Sequence, residues 1–496
     1  MTKSKNHSSH ASNDDVEETI VHTENIYAIS EEPSLDPILE KAWRKVDLAV
    51  VPIVSMFYLL AFLDRTNLAN ARVAGLQKDI NINNHQFSIA LTVTYIPYIL
   101  SQLPSNLVLK AVGPNLVLPT MLTLWGVVTA LQGLMTNFAG LIACRFFLGL
   151  FEGGVFPGLV LYLSFWYPRQ QLQRRVSAFF STASLSGAFS GILAFGIVRM
   201  DGIGHRSGWS WIFILEGIFT ILFGLSAYIT LPRSPAHAQF LNKEEKDYIL
   251  SHLRATDPTC RDEDADSFSW REVWKTYALP HVWMMGVVLF FSGVFVYGLA
   301  YLTPTIIADL GYSSVNAQLF SVPPFAAAFV VIVSIIASYI SDRYGARGFV
   351  SIFATILAMI GFAMYLGSPS VHVKYGSLFF SITGAYISLP TLSTWMANNT
   401  APHIRRATAV AFASSMSNFG GILVTWMFGT LSSPPLYTTA TITLFIFSVL
   451  SVVITAGTIA YFSFQNRIIA AIRATATRED ERPGLGDRSA WFVYSL

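Results

Sequence analysis

Four charged residues stand where a water-soluble fold has no place for them. Asp64 and Arg65 are adjacent within VPIVSMFYLLAFLDRTNLANARV (51–73), and Arg145 and Glu152 fall inside the apolar stretch 138–166. A charge at the centre of a membrane helix costs about 2.5–3.5 kcal/mol on insertion scales, so such residues pair with one another or line an aqueous path. Seven residues separate Arg145 from Glu152, close to two helical turns, so both project from one helix face. The axial rise between them is about 10 Å, which leaves Asp64 as good a partner for Arg145 as Glu152 is. Two chemistries remain open for this set. One is a structural ion pair tying the first and fourth spans together. The other is a set of charges lining an aqueous cavity, where the charge state of a buried carboxyl depends on whether an arginine stands beside it. A further alternative ends the first helix before Asp64 and leaves the pair in a wet loop. The polar face that continues through Asn67 and Asn70, with no Gly or Pro before Gly75, argues against it.

The elements that must position these residues follow from composition. The chain of 496 residues is 53% hydrophobic and 12% charged, against about 45–50% and about 25% in soluble domains, and its mean hydropathy is +0.49. Apolar blocks run through 46–74, 86–109, 116–135, 138–166, 176–199 and 210–231, then 281–308, 316–340, 348–367, 375–397, 407–430 and 438–464. Each approaches the roughly 20 residues that cross a bilayer as helix. The expected fold is therefore an all-α membrane protein of about twelve transmembrane helices in two six-helix halves. The halves are residues 46–231 and 281–466, joined by a cytosolic linker 232–280 that contains an amphipathic helix at LNKEEKDYILSHL. Residues 1–45 read as a disordered cytosolic tail and 467–496 as a second cytosolic tail. Lys41, Arg44, Lys45, Lys110, Arg169, Arg174, Arg175, Arg343, Arg347, Arg405, Arg406, Arg467 and Arg473 then fall on one side, which places both termini in the cytosol.

Weak internal likeness supports two related halves. Tyr58-Leu-Leu-Ala-Phe-Leu-Asp-Arg-Thr parallels Tyr297-Gly-Leu-Ala-Tyr-Leu-Thr-Pro-Thr, and Trp166 before Arg174-Arg175 parallels Trp395 before Arg405-Arg406. In this register Thr303-Pro304 stands opposite Asp64-Arg65. The ionisable chemistry thus belongs to the first half, while the second offers polar and aromatic contacts: Tyr297, Tyr301, Trp395, Asn398 and Asn418. For the aromatics the alternative is ordinary packing or an interfacial belt. Gly153-Gly154, Gly187, Gly191 and Gly420-Gly421 read first as sites of close helix packing.

FLDRTNLANARVAGLQKDI (62–80), RFFLGLFEGGVFPGLVLYLSFWYPR (145–169), GWSWIFILEG (208–217) and YLTPTIIADLGYSS (301–314) resemble, in wording and order, the major facilitator superfamily. Within it they resemble the anion:cation symporter family, especially its fungal allantoate- and nicotinate-permease-like branch. The resemblance covers about residues 41–470. The superfamily loop pattern GxxxDRxGxR is met as SYISDRYGAR, with Ser338 at the first glycine, whereas the first-half loop NLVLKAVGPN has lost its Asp-Arg pair. The resemblance implies proton coupling at Asp64 and Glu152, anion handling at Arg65 and Arg145, and a gating latch at Asp342, Arg343 and Arg347. Glu216 is read as a helix-end partner for Arg199 or Arg206 and not as a coupling site.

The expected function is import of a small organic anion by proton symport across a fungal plasma membrane. The proton is the coupling ion, with no other cofactor and no metal, and the protein is a monomer in contact with lipid. The two cysteines, Cys144 and Cys260, suit neither a disulfide nor a metal cluster. The net charge of +2 offers no field for nucleic acid. A primary pump would need a phosphate loop, and GxxxxGK[ST] is absent from the sequence. An integral membrane enzyme would need clustered His, Asp or Ser near one face, yet the ten histidines are scattered. A transporter-like nutrient receptor is the nearer alternative. No residue chooses among nicotinate, allantoate, pantothenate, biotin and small dicarboxylates.

Overall fold

The computed structural model describes residues 37–167, 169–256, 270–333, 347–401, 403–432, 437–474, 489 and 491–496. Residues 1–36 of the expected N-terminal tail, and Asp342 and Arg343, lie outside them; residues 37–45, expected as tail, are instead the first turns of a helix that continues into the first span. In the first half, α1 is Pro37–Val73, α2 Asn84–Val112 and α3 Pro114–Gln132. The fourth span is broken into α4 Phe138–Glu152 and α5 Val155–Ser164, followed by α6 Arg169–Ile197 and α7 Gly208–Thr230. The linker holds α8 Lys243–Thr256 and α9 Trp270–Tyr277. The second half comprises α10 Pro280–Asp309, α11 Ser314–Val333, α12 Arg347–Gly367, α13 Val371–Asn398, α14 His403–Trp426 and α15 Thr438–Arg473. Among the described residues nine helices are long and apolar enough to cross a membrane. The other three expected spans are α2, α11 and α13, of 29, 20 and 28 residues. Large apolar side chains such as Leu100, Leu222, Phe353 and Val453 are exposed on the outside of the bundle, a surface suited to lipid and not to water.

Local signals set the helix ends. Asn83 and Gln86 form a reciprocal capping box at the start of α2, each side chain accepting from the other's backbone N–H at 2.8 and 3.0 Å. Gly113, at φ +113°, turns the chain from α2 into α3, where Pro114 occupies the first helical position and gives up no needed N–H.

The packing repeats between halves. In the first, α1 packs on α6, α2 on α4 and α3 on α7; in the second, α10 packs on α14, α11 on α13 and α12 on α15. These are the same first-with-fifth, second-with-fourth and third-with-sixth pairings, so the weak sequence likeness reflects a shared architecture. The halves meet through α6 against α11, α2 against α14 and α1 against α10. With an even number of crossings, the start of α1, the linker and the end of α15 share one face, here the terminal side; the opposite face is the distal side.

Two features depart from the sequence reading. The wet-loop alternative fails, because α1 runs unbroken to Val73 with Asp64 only 1% and Arg65 only 7% exposed. The end of the chain returns onto the terminal side of the second half. Ser495 O accepts from Trp395 Nε1 at 2.8 Å and from Asn399 Nδ2 at 3.0 Å, and Tyr494 exchanges two bonds of 2.8 Å with Asn466.

Candidate functional site

Asp64 and Arg65 sit side by side in sequence but enter different environments. Asp64 turns into the first half, where its Oδ2 accepts from the Trp125 indole N–H and from Thr129 Oγ1, the latter at 2.9 Å. Both donors lie on α3, one turn apart. Arg65 turns toward the second half, and its Nη2 and Nε donate to Glu152 Oε1 at 2.9 and 3.2 Å. Its guanidinium carbon lies 5.1 Å from the ring centres of Phe62, Tyr98 and Tyr297. Each such contact is worth about 0.5–2 kcal/mol, more when desolvated. Tyr297 belongs to the second half, so Arg65 meets both halves.

The ion pair is therefore Arg65 with Glu152, across α1 and α4, and not Arg145 with Glu152 along one helix. Arg145, 2% exposed, has no hydrogen-bond partner for Nε or Nη2 among the described residues. Among the described residues one bonded pair is seen, Arg65 with Glu152, and no hydrogen bond or ion pair joins Arg145 to Asp64.

A cavity opens beside the bonded pair. Arg65 and Glu152 line it together with Tyr58, Tyr98, Tyr297, Ser393, Ser414 and Ser417, between apolar walls that include Phe156, Phe180 and Leu389. The fourth span breaks just beyond Glu152, at Gly153-Gly154. There α4 crosses α2 so closely that a Cβ on Gly153 would collide with the Tyr98 carbonyl and the Ser101 hydroxyl. Close packing is thus what these glycines provide here. Among the described residues the second half contributes no charge to the lining.

On the distal side of the cavity the halves are sealed. Tyr95 and Tyr301 join hydroxyls at 3.0 Å, Ser88 Oγ donates to Thr425 O at 3.1 Å, and Trp426 Nε1 donates to Thr92 Oγ1 at 3.0 Å. Ser314 Oγ reaches Val73 O at 2.9 Å and Gln318 Nε2 reaches Asn70 O at 3.3 Å. Toward the terminal side one bond between the halves is seen among the described residues, Gln102 Nε2 to Ser414 Oγ at 3.3 Å. Of the second-half lining, Leu389 and Ser393 lie in the terminal-side portion of α13, and Val410 to Ser417 lie around the middle of α14.

The structure separates the other candidates named from sequence. Tyr297 lines the cavity and its hydroxyl donates to Asn418 Oδ1 at 3.2 Å, so Asn418 stands behind it. Tyr301 belongs to the distal seal. Trp395 is placed away from the cavity, buried on the terminal side against Phe462 and bonded to Ser495, and Asn398 lies in the same turn. Arg347 is buried at the first residue of α12. Glu216 is not a helix-end partner of Arg199 or Arg206. Its Oε2 accepts from Asn67 Nδ2 inside the first half, where it is 8% exposed, while Arg199 stacks on Phe195. The spacing of Asp64, Asn67 and Asn70 at successive turns of one face was the available signal. Tyr58, Tyr98 and the serines of α13 and α14 carried none, being common residue types in apolar helices.

Two similar halves around a central polar cavity are the build of a secondary transporter. The model of the Major Facilitator Superfamily matches residues 54–425, and the chain belongs to that family. It is 31% identical over 454 residues to an uncharacterized transporter of Schizosaccharomyces pombe, covering 91% of this chain and 89% of that one. It is 32% identical over 387 residues to the high-affinity nicotinic acid transporter of Saccharomyces cerevisiae, covering 78% and 71%. Among solved structures it is similar to the partially occluded inward-open conformation of the xylose transporter XylE from E. coli, with TM-score 0.63, 15% identity and coverage of 82% and 97%. The last likeness bears on the fold alone. The chain is thus a multi-pass membrane transporter of a fungal type.

Proposed function

We propose that this transporter is a proton-coupled importer of a small organic anion, of the vitamin-like or nitrogen-source carboxylate kind, working by alternating access at the plasma membrane. The observation that carries this reading is Arg65: a guanidinium in the cavity wall, bonded to Glu152 and faced by aromatic rings from both halves. A planar carboxylate in the cavity is a natural competitor for a planar donor fork. When the anion takes Arg65, Glu152 loses its partner, and a proton replaces the lost positive charge. Anion and proton then favour each other's binding by the same factor in both directions. The relative from S. cerevisiae is named for a carboxylate substrate, which supports the class. With the terminal side cytosolic, the sealed distal face and the placement of the cavity correspond to an inward-facing state of the cycle.

Radiolabelled nicotinate, allantoate, pantothenate, biotin and succinate would be offered to vesicles under an inward proton gradient. Accumulation of at least one is expected, and a protonophore should abolish it. Glu152→Gln mimics the protonated carboxyl. With the accepted substrate it should preserve counterflow exchange and lose uphill accumulation, since the proton can no longer leave. Accumulation that survives full collapse of the proton gradient overturns the coupling assignment.

A further inference from the structure

The buried charges of the first half do not balance. Asp64, Glu152 and Glu216 are 1, 2 and 8% exposed, and Arg65 and Arg145 are 7 and 2% exposed. Among the described residues, three carboxyls against two guanidiniums leave a deficit of one positive charge. An uncompensated charge at this depth is costly. Carboxyls that share a site relieve such a deficit by keeping a proton.

The hydrogen bonds indicate where that proton is held. Glu152 accepts two N–H bonds from Arg65, so its charge is matched directly. Asp64 accepts from two donors, Trp125 and Thr129. Glu216 has a single neutral donor, the Asn67 amide, and its Oε1 has no partner among the described residues. Donors stabilise the ionised form, and Glu216 has the fewest.

Glu216 also stands in a polar column separate from the cavity. Asp64, Asn67 and Asn70 succeed one another on α1, and Trp125, Thr129 and Gln132 do so on the facing α3. Both ends of the Asn70 and Gln132 amides are buried without partners among the described residues, and both residues are 0% exposed. Buried amides that find nothing to bond are rare. Here they run from Asp64 toward the distal end of both helices. The charged groups facing Glu216 are Asp64 from α1 and Arg145 from α4. The α3 helix has no titratable side chain, and α6 has none between Val176 and Ile197.

We propose that Glu216 is a proton-binding site of the transporter, holding the proton that balances the buried cluster while the cavity is empty. The proposal rests on the proton-coupled reading for its role in transport but not for its test. Infrared difference spectra of purified substrate-free protein in lipid nanodiscs at neutral pH are expected to contain a protonated-carboxyl C=O band. That band should be lost in Glu216→Gln and should shift in Glu216→Asp, which keeps a carboxyl and the charge count. In Asp64→Glu and Glu152→Asp, which also keep the count, it should stay in place. A band unchanged in either Glu216 variant, or shifted with Asp64 or Glu152 instead, overturns the assignment and leaves proton coupling standing. A band that follows Glu216 in a protein whose uptake ignores the proton gradient keeps the site and removes the coupling.

Discussion

The two halves share a helix arrangement and differ in what they bury. In the first half, five charged side chains are buried within the spans among the described residues: Asp64, Arg65, Arg145, Glu152 and Glu216. In the second, the corresponding depth holds uncharged contacts among the described residues, such as Ser292 with Ser388 at 2.7 Å and Tyr297 with Asn418 at 3.2 Å. Its charged side chains among the described residues, Asp309, Arg347, Lys374, Arg405 and Arg406, stand near helix ends. At the place of Asp64-Arg65 the second half has Thr303-Pro304, with the threonine hydroxyl donating back to Leu299 O at 2.5 Å. Symmetry of packing therefore does not require symmetry of chemistry. One half holds the charges that can change partner, and the other presents a wall of rings and hydroxyls that can move against them.

The largest expected effect lies at the point where the halves touch through a charge. Arg65→Gln leaves Glu152 buried without its cation, a loss of about 3–5 kcal/mol in stability. It also removes charge-assisted bonds to a substrate carboxylate worth about 1.5–3 kcal/mol, a weakening of roughly tenfold to more than a hundredfold. Arg65→Lys should recover only part of this, because an ammonium is not a two-pronged donor. The double variant Arg65→Gln with Glu152→Gln separates the roles. Thermal unfolding should return toward the wild type while equilibrium substrate binding stays weak. Recovery of binding in the double variant would make the pair purely structural and erase the division between halves.

How much of this was readable in advance depends on what each residue interacts with. The twelve spans, the linker and the four intramembrane charges follow from local composition, since a charge in an apolar helix is conspicuous whatever surrounds it. The pairing was not readable. Arg145 and Glu152 share a helix face, yet α1 and α4 pack so that Arg65 reaches Glu152 first, a long-range fact that helical spacing does not contain. Glu216 was misread for the same reason. Eight residues after the start of its helix, it resembles an end-turn acid until α1 brings Asn67 against it. Trp395 shows the converse. Its type suggested a binding surface, but its partner is Ser495, a hundred residues on.

A smaller effect is expected on the uncharged side. Tyr297→Phe keeps the ring against Arg65 and removes the hydroxyl that donates to Asn418. A neutral hydrogen bond contributes about 0.5–1.5 kcal/mol, so substrate affinity should fall by roughly two- to tenfold, with proton coupling intact. Binding isotherms and the ratio of accumulated to external substrate report these separately. A loss as large as that of Arg65→Gln, or uncoupling, would mean that the second half takes part in the charge exchange.

The smallest effect concerns the linker, which is clasped to both halves by exposed or half-buried pairs. Glu245 on α8 accepts from Lys45 at 2.6 Å, and Glu272 on α9 pairs with Lys275 at 2.5 Å and with Arg405 at 2.7 Å. The Lys45 bond holds the Glu245 carboxyl below its ordinary value of 4.5, and Lys275 first, with Arg405, does the same for Glu272. A carboxyl lowered in the folded state stabilises docking fully above its ordinary value, and that contribution fades as pH falls through the lower folded value. Such pairs are worth about 0.2–1 kcal/mol each and weaken with salt. Protection of the amides in α8 and α9, taken relative to the intrinsic exchange rate at each pH, should therefore be unchanged from neutral pH down to the ordinary carboxylate range. It should fall a few-fold below that range, while α3 and α7 stay protected. Glu272→Gln should give α9 the lower protection at every pH and remove most of its acid dependence. If α9 in that variant stays as protected as in the wild type at neutral pH, its docking rests on apolar contacts such as Tyr277 against Phe412, and the clasp contributes nothing measurable.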